Sequence, residues 1–249
     1  MNPVGLSLIA LTAGYLIGSI SFARLITRLV KPDQDLNQVE IPYDAGGGHR
    51  MAAVGATTAS LVLGPKWGLI ITGLDLLKAV VPTLFFRLLF PEQTAFMFAG
   101  GGAIAGHIWP VYHRFRGGYG IGPVLGALLV LDPLGVLVSN LVAMLLGFVI
   151  LREFLVAMLS GTWLMILWVW LVRGDPLAVL FVFITNLLLL FAAVPEVLRH
   201  LRDRKEGKVD MAELMQKFPM GRMTQKLMRK SKPRPISSPN ESGHPREDS

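Results

Sequence analysis

The chain has no cysteine, which excludes disulfides, thiolate nucleophiles and cysteine-bound metals and leaves the redox compartment open. Charge is scarce as well. Asp, Glu, Lys and Arg make up 16% of the 249 residues, against 52% hydrophobic residues and a mean hydropathy of +0.52. That balance excludes an ordinary water-soluble domain and places the chain among integral membrane proteins. A hydrocarbon core of about 30 Å takes about 20 helical residues to cross, and apolar runs of that order recur too often to be a signal peptide. The formal net charge of +7 then reads as basic loops facing anionic lipid, not as a nucleic-acid surface.

Several catalytic patterns are missing too. No G-x-S-x-G elbow and no G-x-x-x-x-G-K-[ST] loop occurs, which argues against an α/β-hydrolase nucleophile and a P-loop nucleotide site. The histidines at 49, 107, 113, 200 and 244 show no metal-ligand spacing, so a metal site is disfavoured. None has an aspartate five positions on, so the H-x-x-x-x-D dyad of one large class of lipid acyltransferases is absent.

What is present is a series of apolar segments: 4–29, 64–90, 94–112, a short one at 120–131, then 134–151, 154–172 and 177–198. The pattern predicts an all-α membrane protein with about seven transmembrane helices. Gly14, Gly18, Ser19 and Ser21 make the first segment suited to close helix packing. Connections after the odd segments carry Arg28, Lys31, Arg50, Arg114, Arg116 and Arg152, whereas the others offer Arg173 as their main cation, with Arg87 near the end of segment two. The positive-inside rule therefore puts the N-terminus outside and the C-terminus inside. Residues 1–200 form a polytopic membrane domain on this reading. Residues 201–249 hold 12 of the 24 Lys and Arg residues and form a basic cytoplasmic tail with a disordered end, and 211–218 reads either as a short amphipathic helix on the inner leaflet or as part of a wholly solvated tail.

Two polar loops converge on the inner face in this topology. One, 31–53, contains Gly46-Gly47-Gly48-His49-Arg50; the other, 106–120, holds His107, His113, Arg114, Arg116, Gly117, Gly118 and Gly120. Backbone N–H groups freed by glycine beside guanidinium groups suit an anion such as phosphate, and an ordinary turn-rich loop fits the same residues. Asp75 and Lys78 lie i,i+3 inside an apolar segment, so they share a helix face. Two readings follow: a buried ion pair, or a cavity in which Lys78 binds phosphate. His107 is read as a packing residue or a catalyst, in that order.

The order of motifs resembles the acyl-phosphate-dependent glycerol-3-phosphate acyltransferase family of bacteria. Gly18-Ser19-Ile20-Ser21-Phe22, Gly55-Ala56-Thr57-Thr58, Asp75-Leu76-Leu77-Lys78, Gly106-His107-Ile108-Trp109-Pro110 and Phe115-Arg116-Gly117-Gly118-Tyr119-Gly120 carry the likeness over about residues 10–135. A late H-x-x-N motif is approximated by His200-Leu201-Arg202-Asp203. The resemblance implies a seven-helix membrane protein of the bacterial plasma membrane, its active site open to the cytoplasm. It would transfer a fatty acyl group from acyl phosphate to glycerol 3-phosphate, giving lysophosphatidic acid for phospholipid synthesis. It implies no metal, cofactor or protein nucleophile, and phosphate-binding positions at Arg50, Gly55, Thr57, Lys78, His107, Arg116, Gly117, Gly118, Gly120, His200 and Asp203.

The chain departs from the family pattern at three places. The phosphate loop of the family reads G-S-G-N-x-G-x-T-N-x-x-R, whereas Thr58 stands here for its second Asn and Leu61 for its Arg. Gly46 to His49 with Arg50 are a shifted replacement for its first part. Tyr119 replaces the second Lys of F-K-G-G-K-G, and Arg116 keeps the first basic position. Two functional classes follow: a divergent acyltransferase, or a catalytically silent membrane relative that binds an anionic lipid or precursor. A transporter is weaker, since no paired halves are visible.

Overall fold

The computed structural model describes residues 2–42, 48–51, 53–151 and 154–205. Nine α-helices occur among them: α1 (Pro3–Gly18), α2 (Phe22–Val30), α3 (Ala56–Leu63), α4 (Pro65–Leu89), α5 (Ala95–Ile108), α6 (Ile121–Leu131), α7 (Pro133–Met144), α8 (Phe154–Trp168) and α9 (Pro176–Lys205). Helices α7 and α8 run on into π-helical turns, Leu145–Leu151 and Val169–Arg173. One antiparallel hairpin, β1 (Glu40–Pro42) with β2 (Gly48–Arg50), interrupts the helical pattern. The stretch Pro3–Val30, helix α4 and Pro176–Pro195 are long and apolar enough to cross a membrane; Ile121–Leu131, Pro133–Gly147 and Ser160–Arg173 are shorter apolar helices.

The first segment is not one helix. Ser19 Oγ donates back to the Tyr15 carbonyl at 2.8 Å, and the Ser21 side chain caps α2 by accepting from Arg24 N at 3.5 Å. Such side-chain bonds compete with the helix ladder, and the chain breaks between them. Likewise, Gly55-Ala56-Thr57-Thr58 opens a separate short helix, α3, which stops at Gly64 with φ of 96°, a conformation suited to glycine. The third segment ends its helix at Ile108, since Pro110 has no N–H to continue it. The amphipathic stretch 211–218 and Arg152 lie outside the described residues.

Small residues set the closest crossing. A Cβ on Gly14 or Gly18 of α1 would run into the carbonyls of Ala99 and Ala103 on α5. One on Gly102 or Gly106 of α5 would run into those of Leu11 and Tyr15 on α1. Two G-x-x-x-G pairs thus interlock, as membrane helices do when backbones approach. Across the bundle, Gly126 of α6 abuts the Leu76 carbonyl of α4. The largest apolar core, with Ile104, Val124, Leu128, Met165 and Val182, joins α5, α6, α8 and α9.

At the far end of α4 a second polar cluster ties the bundle. Arg87 Nη1 and Arg173 Nη1 each donate to the Leu131 carbonyl at 3.2 Å, and Asp132 caps α7 while lying 3.6 Å from Arg173.

Candidate functional site

The break between α1 and α2, the middle of α4, the end of α5 and the glycine turn meet at one place. Asp75 and Lys78, buried at 4% and 5% exposure, form an ion pair of 2.9 Å. His107 Nδ1 lies 3.5 Å from the same Asp75 oxygen. Lys78 Nζ also donates to the Ile20 carbonyl at 2.7 Å, the acceptor left open by the helix break, and its ammonium stands 5.8 Å from the centre of the Phe22 ring. Asp75 and Lys78 thus form a buried pair, and both also line a small cavity with Gly55, His107 and Gly117.

His107 is the hinge between this buried group and the glycine turn. The turn runs back along the end of α5, Gly118 N donating to the His107 carbonyl at 3.2 Å and Gly117 N to that of Ile108 at 3.1 Å. Val54 N, next to the start of α3, donates to the Gly117 carbonyl at 2.7 Å. A Cβ on Gly117 would strike the His107 carbonyl, and one on Gly118 the His107 ring nitrogen Nε2. The glycines at these two positions are thus required by close approach. Gly120 takes φ of 91° and starts α6, while Gly55, packed beside Gly118, starts α3. Neither helix start has a side-chain cap, so backbone N–H groups are left open at Gly55, beside Gly118, and two residues further on at Gly120, an arrangement that favours an anion.

Beside this group opens a cleft of about 1010 Å³ between α2, residues 31–38 and the turn 112–116. Arg24, Arg28, Arg114, Arg116 and His113 line it, with Asp33, Asp35, Asn37 and Thr27. The turn is folded tightly: Arg114 and Phe115 both have left-handed backbones, with φ of 52° and 60°, stabilised by Phe115 N to Pro110 O at 3.0 Å and Arg116 N to His113 O at 3.1 Å. Non-glycine residues pay for that conformation, and such strain gathers at sites where side chains must be aimed. Burial first, and then the positive charges of Arg24, Arg28 and Lys78, lower the His113 pKa below the ordinary imidazole value.

The residues expected from the sequence fall into three groups. Gly55, Lys78, His107, Gly117, Gly118 and Gly120 come together, and Arg116 stands at the mouth of the neighbouring cleft. Thr57 is exposed on α3, whereas the Thr58 hydroxyl is buried and donates to the Ala53 carbonyl at 2.6 Å. The side chains of Arg50, His200 and Asp203 lie outside those described. His113, read from the sequence as part of the anion-suited 106–120 loop, lines the cleft, whereas Arg24 and Thr27 were not expected there. Arg24, Thr27 and Arg28 stand at i, i+3 and i+4, one face of α2, and that spacing was the available signal. Among the described residues no group of three or more His, Asp or Glu side chains is placed to hold a metal ion.

Comparison with known proteins decides the family. A family described as "Glycerol-3-phosphate acyltransferase" matches residues 8–204. The chain belongs to the glycerol-3-phosphate acyltransferase family. Within it, the chain is 38% identical over 130 residues to the glycerol-3-phosphate acyltransferase of Myxococcus xanthus, covering 52% of this chain and 62% of that protein. The one from Anaeromyxobacter dehalogenans is 35% identical over 166 residues, 65% of this chain and 77% of the relative. The matches to Myxococcus xanthus and Halalkalibacterium halodurans span 62% and 58% of those relatives, less than two thirds of either. Among solved structures, the chain is similar to PlsY (YgiH), described as an integral membrane glycerol 3-phosphate acyltransferase, in its glycerol 3-phosphate form. The TM-score is 0.64 at 26% identity, over 80% of this chain and 93% of that one. The lysophosphatidic acid form of the same protein aligns with a TM-score of 0.61. The helical, integral membrane character read from the apolar segments holds for this chain, with one short hairpin as the exception.

Proposed function

We propose that this protein transfers a fatty acyl group from acyl phosphate to glycerol 3-phosphate, forming lysophosphatidic acid in the bacterial plasma membrane. The observation that carries the reading is the packing of Gly117 and Gly118 against His107, which holds two uncapped helix starts and a basic cleft side by side. The reaction needs two phosphates bound near each other. The hydroxyl oxygen of glycerol 3-phosphate attacks the acyl carbonyl carbon, a new ester C–O bond forms, the bond from acyl carbon to phosphate oxygen breaks, and inorganic phosphate leaves with the hydroxyl proton. No protein nucleophile takes part. The protein positions the reactants and stabilises charge. Arg50, Gly55, Thr57, Arg116, Gly117, Gly118, Gly120, His200 and Asp203 surround the phosphates in this proposal. Lys78 and His107, turned inward onto Asp75 and Ile20, act as positioning residues.

Seven membrane crossings with the N-terminus outside put both loops on the cytoplasmic face, where soluble glycerol 3-phosphate is supplied. Residues 201–249 then form a cytoplasmic tail beyond the membrane domain of 1–200. A second reading is favoured by specific residues: with Tyr119 and Leu61 in place of cations and Thr58 bonded to Ala53, the chain is a silent relative that binds an anionic lipid or precursor. The two part in a single assay. Purified protein in nanodiscs, given acyl phosphate and radiolabelled glycerol 3-phosphate, yields labelled lysophosphatidic acid if the enzyme reading is right; bound label without product selects the silent relative.

A further inference from the structure

We propose that the cleft between α2, residues 31–38 and the turn 112–116 is a binding site for a dianionic phosphate monoester, gripped by Arg24 and Arg28 from α2 and by Arg116 from the turn. The class of ligand follows from charge. Among the described residues, four guanidinium groups, of Arg24, Arg28, Arg114 and Arg116, face two carboxylates, of Asp33 and Asp35, which leaves an excess of two positive charges. A phosphate monoester carries about −1.5 to −2 near neutral pH and matches that excess; a phosphodiester carries about half as much.

The side chains are prepared for an acceptor. Arg24 is held by one arm, Nη2 donating to the Asn37 carbonyl oxygen Oδ1 at 2.9 Å, while its Nη1 is buried with no hydrogen-bond partner among the described residues. A buried guanidinium nitrogen left open costs free energy until an acceptor meets it. The Thr27 hydroxyl at the floor of the cleft, 2% exposed, is likewise unpartnered among the described residues. Asp35 turns its Oδ1 to the Asn37 backbone and side-chain amides at 2.9 and 2.7 Å, which fixes the loop that holds Arg24. Bidentate guanidinium groups are the side chains best suited to a phosphate.

The site is distinct from the uncapped helix starts at Gly55 and Gly120. In giving the acceptor substrate its own phosphate site it rests on the acyltransferase reading, but its test does not. Arg24→Gln and Arg28→Gln are prepared as full-length protein in detergent, with Arg173→Gln as a control at the far cluster. Binding of glycerol 3-phosphate, inorganic phosphate and micellar lysophosphatidic acid is measured for each, with glycerophosphocholine as the phosphodiester. The expected result is at least about tenfold weaker binding of a monoester in each α2 variant, the loss of one charged hydrogen bond, with Arg173→Gln unchanged. Loss for the two soluble ligands assigns the cleft to a soluble monoester; loss for lysophosphatidic acid alone assigns it to a lipid headgroup. Wild-type affinity in both α2 variants for inorganic phosphate and for both monoesters overturns the proposal, as does equal binding of the phosphodiester. Arg28 is exposed, so its variant reads out even if Arg24→Gln fails to fold. Binding lost without any acyl transfer by the wild type refutes the enzyme reading alone. Acyl transfer with an unchanged KM for glycerol 3-phosphate in both variants refutes this site alone.

Discussion

Lys78 Nζ donates to the carbonyl oxygen of Ile20 at 2.7 Å, joining positions 58 residues apart in the chain. One ammonium thus pairs by charge with the Asp75 carboxylate and donates a hydrogen bond to the open end of a broken helix. Replacing Lys78 by Met leaves Asp75 buried without its partner, a change that costs about 3–5 kcal/mol in comparable buried pairs. Thermal unfolding in detergent should show a large drop in Tm for Lys78→Met and a partial recovery in Lys78→Met/Asp75→Asn. An unchanged Tm in the single variant would mean that the pair contributes nothing to the fold.

The glycine turn makes a sharper steric prediction. A Cβ at Gly118 meets the His107 ring, so Gly118→Ala should lose about 1–3 kcal/mol of stability and most activity, as overpacked sites do. Gly55→Ala should be milder, since its Cβ would sit at an ordinary 3.4 Å from the Gly118 Cα. Melting curves of the two variants check the order; the reverse order contradicts the packing described.

His113 gives the pH dependence. Burial and the charges of Arg24, Arg28 and Lys78 lower its pKa, with Arg114 and Arg116 on its own turn and Asp33 and Asp35 also lining the cleft. A histidine with a lowered folded pKa binds fewer protons native than unfolded, so its native state is unpenalised above about pH 6.5 and loses stability as the pH falls through that value. An anion in the cleft favours the imidazolium. Binding of a phosphate monoester should therefore take up protons beyond those that the ligand, with a second pKa near 6, binds on its own. Titration calorimetry in buffers of different ionisation enthalpy measures the uptake, and His113→Phe should reduce it. Equal uptake in both proteins counts against a role for this side chain.

The far cluster should behave as structure alone. Arg173→Gln removes a half-exposed ion pair to Asp132 and one bond to Leu131, so it should cost about 0.5–1.5 kcal/mol of stability and leave KM for glycerol 3-phosphate unchanged. A raised KM would connect that cluster to the site.

How much of this was legible beforehand depended on the kind of signal. Hydropathy gave the helical membrane character, because crossing lipid demands long apolar runs. The i,i+3 spacing of Asp75 and Lys78 gave their shared helix face, and Gly14 and Gly18 their close crossing. The break after Gly18 was hidden: Ser19 and Ser21 sit in an apolar run, and only the contacts of Ser19 with Tyr15 and Val111 reveal what they do. The cleft was hidden as well. Arg28 counts toward the topology rule and Arg24 lies inside the first apolar segment, so their shared face is inconspicuous in the sequence, and their neighbours His113 and Arg116 arrive from a turn nearly ninety positions away. Thr57 and Thr58 show the limit of motif matching, since the chain places the first outward and the second inward.

The central claim is that this divergent site still completes acyl transfer. The most direct measurement is a single turnover with purified protein in excess over acyl phosphate and glycerol 3-phosphate, following lysophosphatidic acid and inorganic phosphate together. The account predicts that both appear in equal amounts and at the same rate, and that Arg24→Gln slows them at limiting glycerol 3-phosphate. Inorganic phosphate without lysophosphatidic acid, or neither product from folded wild-type protein, contradicts it.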